Sequence, residues 1–227
     1  MLSDAVSAEE RFVHDQFRAL VLSPAHPCLG AHTALRRDHY DFHLYDRLGD
    51  GAAAAQLRED LHSFNQRRRE WGGDYSTYVA SFAEPRPASE SEFEALLWKQ
   101  LQLLHDQDSQ LSRWDPRVSH DPESAGFSFS VGGEAFFVVG LHAAASRYAR
   151  RFAWPTLCFN PHDQFEHIRQ AGHFKRMRDR VRSRDRALQG THNPMSIDYG
   201  SRSEASQYSG RPVASEWSCP LRVADDP

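Results

Sequence analysis

Apolar and polar positions alternate strictly in Phe127-Ser128-Phe129-Ser130-Val131, the period-2 pattern of a strand with one buried face. Gly132-Gly133 follows, a pair free to take positive φ and suited to a two-residue hairpin turn. The return run, Ala135 to Val139, is apolar on both faces as a central strand is, and it stops at Gly140-Leu141-His142. Ala145, Tyr148, Ala149 and Phe152 then recur at helical spacing until Trp154-Pro155 breaks the pattern, and Thr156 to Phe159 forms another short strand. Asn160 is placed to cap the next helix, Pro161 suits its first position and Asp163 its dipole-favoured first turn. A buried strand thus twice delivers a histidine, His142 and then His162, to a strand-to-helix junction, where α/β proteins concentrate chemistry.

The flanking pattern is mainly helical. Ser7 and Glu10 form a capping box ahead of the stripe Val13, Phe17, Leu20 and Val21. Pro24 to Gly30 is a tight loop holding Cys28, and residues 31–50 read as short extended pieces. Ala52 to Arg69 places Leu57, Leu61 and Phe64 on one helical face; a loop about Gly72-Gly73 and the segment Tyr75 to Phe82 follow. A second capping box, Ser89 and Glu92, opens a helix lined by Phe93, Leu97, Leu101 and Leu104 that runs to about Leu111. After Gly172, a C-cap candidate, Phe174, Met177, Val181 and Leu188 stripe a helix whose outer face carries Lys175 and six arginines, Arg182 among them. The pattern predicts an α+β fold of one domain over residues 1–227. Its core is a small central sheet (hairpin 127–141 plus strand 156–159) surrounded by helices. An irregular tail, 190–227, packs on the body through Tyr199, Tyr208 and Trp217.

Composition narrows the function classes. The 227 residues suffice for a sizeable core, and the net charge of −4 argues against a general nucleic-acid binder. No apolar run approaches the length of a membrane span, and the N-terminus lacks the pattern of a secretory signal. Three cysteines, Cys28, Cys158 and Cys219, are odd in number and far apart, so a reduced, cytoplasmic protein is expected. There is no G-x-G-x-x-G after a strand, no P-loop and no H-E-x-x-H. Glu59 and His62 make a single E-x-x-H, whereas a di-iron carboxylate site needs two plus further glutamates. Spacing alone leaves His142, His162 and Cys28 open as either structural residues or metal ligands.

Longer motifs sharpen this. F-E-x-L-L-W-x-x-L from Phe93, W-D-P-x-V-S-x-D-P from Trp114, F-S-F-S-x-G-G-x-A-F-F-V-V-G-L-H from Phe127 and S-R-x-A-R-R-F from Ser146 occur in order. They are followed by F-N-P-H-x-Q-F-E from Phe159, R-x-R-D-x-x-L-Q-G from Arg182, N-P-M from Asn193 and S-E-A-x-Q-Y-S-G-R from Ser203. In these motifs the chain resembles the YqcI/YcgG family over about residues 20–220, with Ala143 and Ser206 standing where the family pattern often has proline and arginine. Characterised relatives are haem-dependent N-hydroxylases acting on guanidino nitrogens of arginine-like amino acids in natural-product biosynthesis.

The resemblance therefore implies a haem-dependent monooxygenase that N-hydroxylates a guanidino or amino group of a small molecule. The absence of Cys-x-x-Cys-His makes the cofactor non-covalent haem b. His162, framed by Asn160 and Pro161, is the expected axial ligand, with His142 and Cys28 as alternatives. His142, followed by small alanines, suits the distal, catalytic face. Phe136, Phe137, Phe159 and Phe165 would line the slot, and Arg147, Arg150 and Arg151 would meet the propionates. Glu204 or Glu166 would face the substrate cation, with Tyr208 and Arg211 also in the substrate site. Electrons would come from an external reductase with O2, or peroxide would replace both. The same features leave room for a homodimer, for a non-catalytic haem sensor or carrier, and for a non-haem di-iron N-oxygenase.

Overall fold

The computed structural model describes residues 6–71, 75–196 and 200–223. The expected loop about Gly72-Gly73 and the tail residue Tyr199 lie outside them. The element order is α1 (Ala8–Leu22), α2 (Leu29–Arg37), β1 (Tyr40–Arg47), α3 (Gly51–Trp71), β2 (Thr77–Glu84), α4 (Glu90–Asp108), β3 (Phe129–Val131) and β4 (Glu134–Leu141). A 3-10 turn (Tyr148–Arg150), β5 (Thr156–Pro161), α5 (His162–Gln170), α6 (Phe174–Gln189) and the single turn α7 (Ala205–Tyr208) complete it. The strands form one mixed sheet in the order β1-β2-β5-β4-β3, giving an α+β fold.

The hairpin forms where the alternation places it. Phe129 pairs with Phe136 and Val131 with Glu134, and Gly132 and Gly133 take φ of 63° and 74°, the left-handed conformation a primed turn requires. The serine half of each capping box forms: the Ser7 and Ser89 hydroxyls accept from the backbone N–H groups of Glu10 and Glu92, while Glu92 accepts from Ala88 N–H and Glu10 turns to Leu44 N–H.

The sheet is larger than the sequence pattern implies. β1 and β2 add a parallel pair, Tyr40 opposite Thr77 through Arg47 opposite Glu84, joined by α3 as a crossover. Residues 31–37, expected to be extended, belong to the helix α2, which begins at Leu29 inside the expected loop. It escaped the pattern because its cap is a sulfur, the Cys28 thiol accepting from the Ala31 N–H at 3.4 Å, and not the usual hydroxyl or carboxylate.

Two further expectations are corrected. Residues 145–152 form only a 3-10 turn, because the Arg150 carbonyl accepts from His142 N–H and the His142 carbonyl from Phe152 N–H, folding the segment back on the end of β4. Asn160 does not cap α5. It pairs with Phe137 within the sheet, its amide donates to the Phe137 and Cys158 carbonyls, and Pro161 stands at the cap position without a side-chain bond.

The sheet separates two cores. On one face α3, α4 and α7 pack Leu57, Phe64, Phe93 and Tyr208 against Tyr78, Phe82, Phe136, Val138 and Phe159. On the other, α1 and α2 pack Phe17, Val21 and Ala34 against Val79, Leu141 and Cys158. The second layer does not extend along the whole sheet, and α6 covers the remainder at a distance.

Candidate functional site

That distance leaves a cleft. Two cavities of about 220 and 230 Å³ lie between the outer sheet face, α2 and α6. They share Cys28, Ala31, Thr77, Val139, Asn160, Val181, Arg182 and Ser196 as walls, so they form one slot. Together they reach the ~300–1,000 Å³ of small-molecule and cofactor sites. Period-2 alternation explains the floor: Cys158 and Asn160 of β5 face the slot, whereas Leu157 and Phe159 face the opposite core. α6 turns Met177, Val181 and Arg182 inward.

Cys28 lines both halves of the slot. It stands at the N-terminal end of α2, where the helix dipole and the Ala31 N–H favour a thiolate, while burial pushes the thiol's pKa up. His26, two residues earlier, lines the same slot and is kept neutral, its pKa lowered by burial to about 4. Arg150 also lines it; burial lowers its pKa to about 10, and its guanidinium donates to the carbonyls of Gly140 (3.2 Å), Gln207 (3.0 Å) and Tyr208 (2.9 Å). Arg182 reaches across from α6 and is held by Ser196, at 2.9 Å to Oγ and 2.7 Å to the carbonyl. Cys158 completes the floor as a second buried thiol, pushed up to about 12 by burial.

The slot leads toward a third cavity of about 140 Å³. It shares the rings of Phe137, Phe165 and Phe174 with the slot and is closed by His162, Arg169, Glu204 and Gln207. Glu204 is buried, 3% exposed, and Ser128 Oγ and Tyr208 Oη both donate to its Oε1 at 2.7 Å, leaving Oε2 with neither bond. Burial dominates over these two bonds and pushes the carboxyl to about 8, so it is neutral at pH 7. Arg169 at the rim pairs with Glu166 and lies over the Phe174 ring, 4.7 Å from its centroid.

The structure gathers some of the expected residues and disperses others. Cys28, Arg150, Phe137 and Phe165 line the slot; Glu204 and His162 line the third cavity. His162 stands between that cavity and a polar one holding Arg117, Glu166 and His167; its Nε2 is 3.6 Å from Glu166 Oε1, and Asp163 is engaged by Arg68 instead. His142 is fully buried and stacks on Phe93 at 4.2 Å, with both ring nitrogens lacking a partner, and it lines none of these cavities.

Phe136 and Phe159 belong to the opposite core, an edge-to-face pair at 5.9 Å, because both point to the α3/α4 side. Without a helix at 145–152 the three arginines diverge. Arg147 pairs with Asp185, and Arg151 is exposed, donating to the Ala145 carbonyl over the Tyr148 ring. Tyr208 touches Glu204 from inside the core and does not reach a cavity, and Arg211 is spent on Glu94 at 2.6 Å. His26, Arg182, Cys158 and Asn160 were not singled out as site residues from the sequence. The Pro-flanked loop around Cys28 was the available signal for His26. Arg182 was hidden among the basic residues of α6.

Among the described residues no group of three or more His, Cys, Asp or Glu side chains could hold a metal ion, and no helix is long and apolar enough to cross a membrane.

The YqcI/YcgG family model matches residues 17–222, nearly the whole chain. The chain belongs to the YqcI/YcgG family. The match spans every element that builds the slot except the start of α1. No curated protein and no solved structure matches.

Proposed function

We propose that this YqcI/YcgG member is a haem-dependent monooxygenase that N-hydroxylates a guanidino or amino group of a small cationic molecule. The observation that carries the reading is the apolar slot, with one thiol on both of its halves, running into a cavity closed by a buried carboxyl.

The residues fit a haem. Val139, Val181 and Met177 offer an apolar enclosure, and a metal-bound thiol deprotonates despite burial. Cys28 is the ligand in this reading, in preference to His162, which lines the neighbouring cavity, and His142, which lines none of them. Arg150 and Arg182 are the cations for the propionates, replacing Arg147 and Arg151. When bound, the haem would supply the activation of O2 that no side chain can perform, with thiolate ligation favouring O–O cleavage.

The protein's part is binding and proton control. A guanidinium entering the third cavity would meet the rings of Phe137, Phe165 and Phe174, suited to a desolvated cation. It would also meet Glu204 Oε2. The neutral carboxyl would lose its proton as the cation arrives, since an opposite charge restores the ionised form. Ser128 and Tyr208, already donating to Oε1, would hold that carboxylate in one orientation. A mere carrier of haem would need the slot but not this carboxyl.

Binding of arginine, read as a shift of the Soret band, tests this. Because Glu204 binds a proton below about 8 and releases it on binding, affinity should rise up to about tenfold per pH unit between about pH 6 and 8. Glu204→Gln should abolish both the slope and most of the affinity while retaining haem. A pH-independent affinity that is unchanged in Glu204→Gln, or no turnover of any guanidino or amino compound, would remove the reading.

A further inference from the structure

α6 carries seven basic residues, Lys175, Arg176, Arg178, Arg180, Arg182, Arg184 and Arg186, against two acidic ones, in a chain whose net charge is −4. Three of the seven are occupied in the fold: Arg182 by Ser196, Arg184 by the carbonyls of Pro24 and His26, and Arg178 by Asp179 at 2.8 Å. The other four, Lys175, Arg176, Arg180 and Arg186, are exposed and make no ion pair with any described residue. Local repulsion among unpaired cations is unfavourable, and nothing in the packing of α6 calls for them. The inner side of the same helix, Met177 and Val181, is a wall of the apolar slot. One helix diameter, about 10 Å, therefore separates a concentrated positive surface from the slot.

We propose that the outward face of α6 is the docking surface for a small acidic electron-transfer protein, an iron–sulfur or flavin carrier, that reduces the cofactor beneath the helix. The proposal rests on the haem reading. Insertion of one oxygen atom into an N–H bond consumes O2, two electrons and two protons, with the second oxygen leaving as water. The chain has no nicotinamide or nucleotide motif of its own, so the two electrons come from the docked carrier, which is oxidised as it delivers them. Such a patch acts chiefly through steering, accelerating encounter with a partner of opposite charge and losing that advantage in salt.

The probe is reduced plant-type ferredoxin, offered to the parent protein and to Arg176→Glu/Arg180→Glu, two exposed positions that line none of the cavities. Calorimetric binding, which needs no haem, should weaken at least tenfold in the variant and fall steeply as salt is raised. Anaerobic haem reduction by ferredoxin should slow by a similar factor, while reduction by dithionite stays unchanged. Ferredoxin binding that is absent, salt-insensitive or equal in the variant overturns the proposal. So does loss of dimerisation or of RNA binding as the variant's only defect, or full activity with peroxide and none with the carrier. A protein without a Soret band would instead sink the haem reading, and the calorimetric result would still decide the docking surface.

Discussion

Glu204 accepts from Ser128 and Tyr208 in a site walled by Phe137 and Phe165, and burial there raises its pKa from 4.5 to about 8. A carboxyl with a raised folded pKa contributes stability that is fully present below about pH 4.5 and is lost as pH rises through 8. Glu204→Gln, which keeps the shape without the titration, should therefore gain on the parent protein in Tm between pH 5 and pH 9, as calorimetry at the two pH values would record. An equal difference at both would mean that the carboxyl is already ionised. His26 and His142 work in the opposite direction. Burial lowers both to about 4, so their contribution is present above about 6.5 and lost as pH falls toward 4. At this scale the sequence named the residue types but not their surroundings. Glu204 stood out through its motif, but its neutrality comes from burial, and its orientation depends on Ser128, 76 positions away in the chain. Cys28 was visible in its loop, but its place on the slot depends on α2, whose sulfur cap carries no familiar helix-start signal.

Elements were legible where periodicity was strong. The hairpin β3–β4, the strand β5, and helices α1, α3, α4 and α6 all follow their apolar spacing. β1 was legible only as part of the extended pieces read over residues 31–50: Tyr40, Phe42 and Leu44 alternate with Asp41 and His43, but parallel pairing with β2 leaves no turn in the sequence to mark its bounds or its partner. The expected helix at 145–152 failed because its apolar spacing was too short to outweigh the backbone bonds that fold His142, Arg150 and Phe152 together. Gly140, between Val139 and Leu141 of β4, shows how closely the elements approach. A Cβ there would lie 2.5 Å from Cε1 and 2.8 Å from Cζ of the Phe93 ring on α4, and 3.0 Å from the Tyr208 carbonyl. Gly140→Ala should cost about 1–3 kcal/mol, the range for overpacking a close-packed core. Urea denaturation measures it, and a change below about 0.5 kcal/mol would show that α4 and the tail can move apart freely.

Over the whole molecule, three segments distant in sequence converge on one cleft: the loop entering α2, the edge-to-edge face of β4 and β5, and the inner side of α6. The tail fastens this arrangement, with Ser209, Arg211 and Trp217 all donating to Glu94 on α4. The α+β class and the tail's packing on the body were readable from pattern. The cleft was not, since it depends on α6 standing off the sheet, which no local spacing encodes. The claim that this cleft holds haem on Cys28 is tested most directly by the ferrous–CO spectrum of the protein expressed with a haem precursor. The account predicts about one haem per chain and the red-shifted band of thiolate ligation, lost in Cys28→Ala. A histidine-type band, pointing to His26 or His162, would contradict the assignment of Cys28, and a protein with no Soret band at all would contradict the account as a whole.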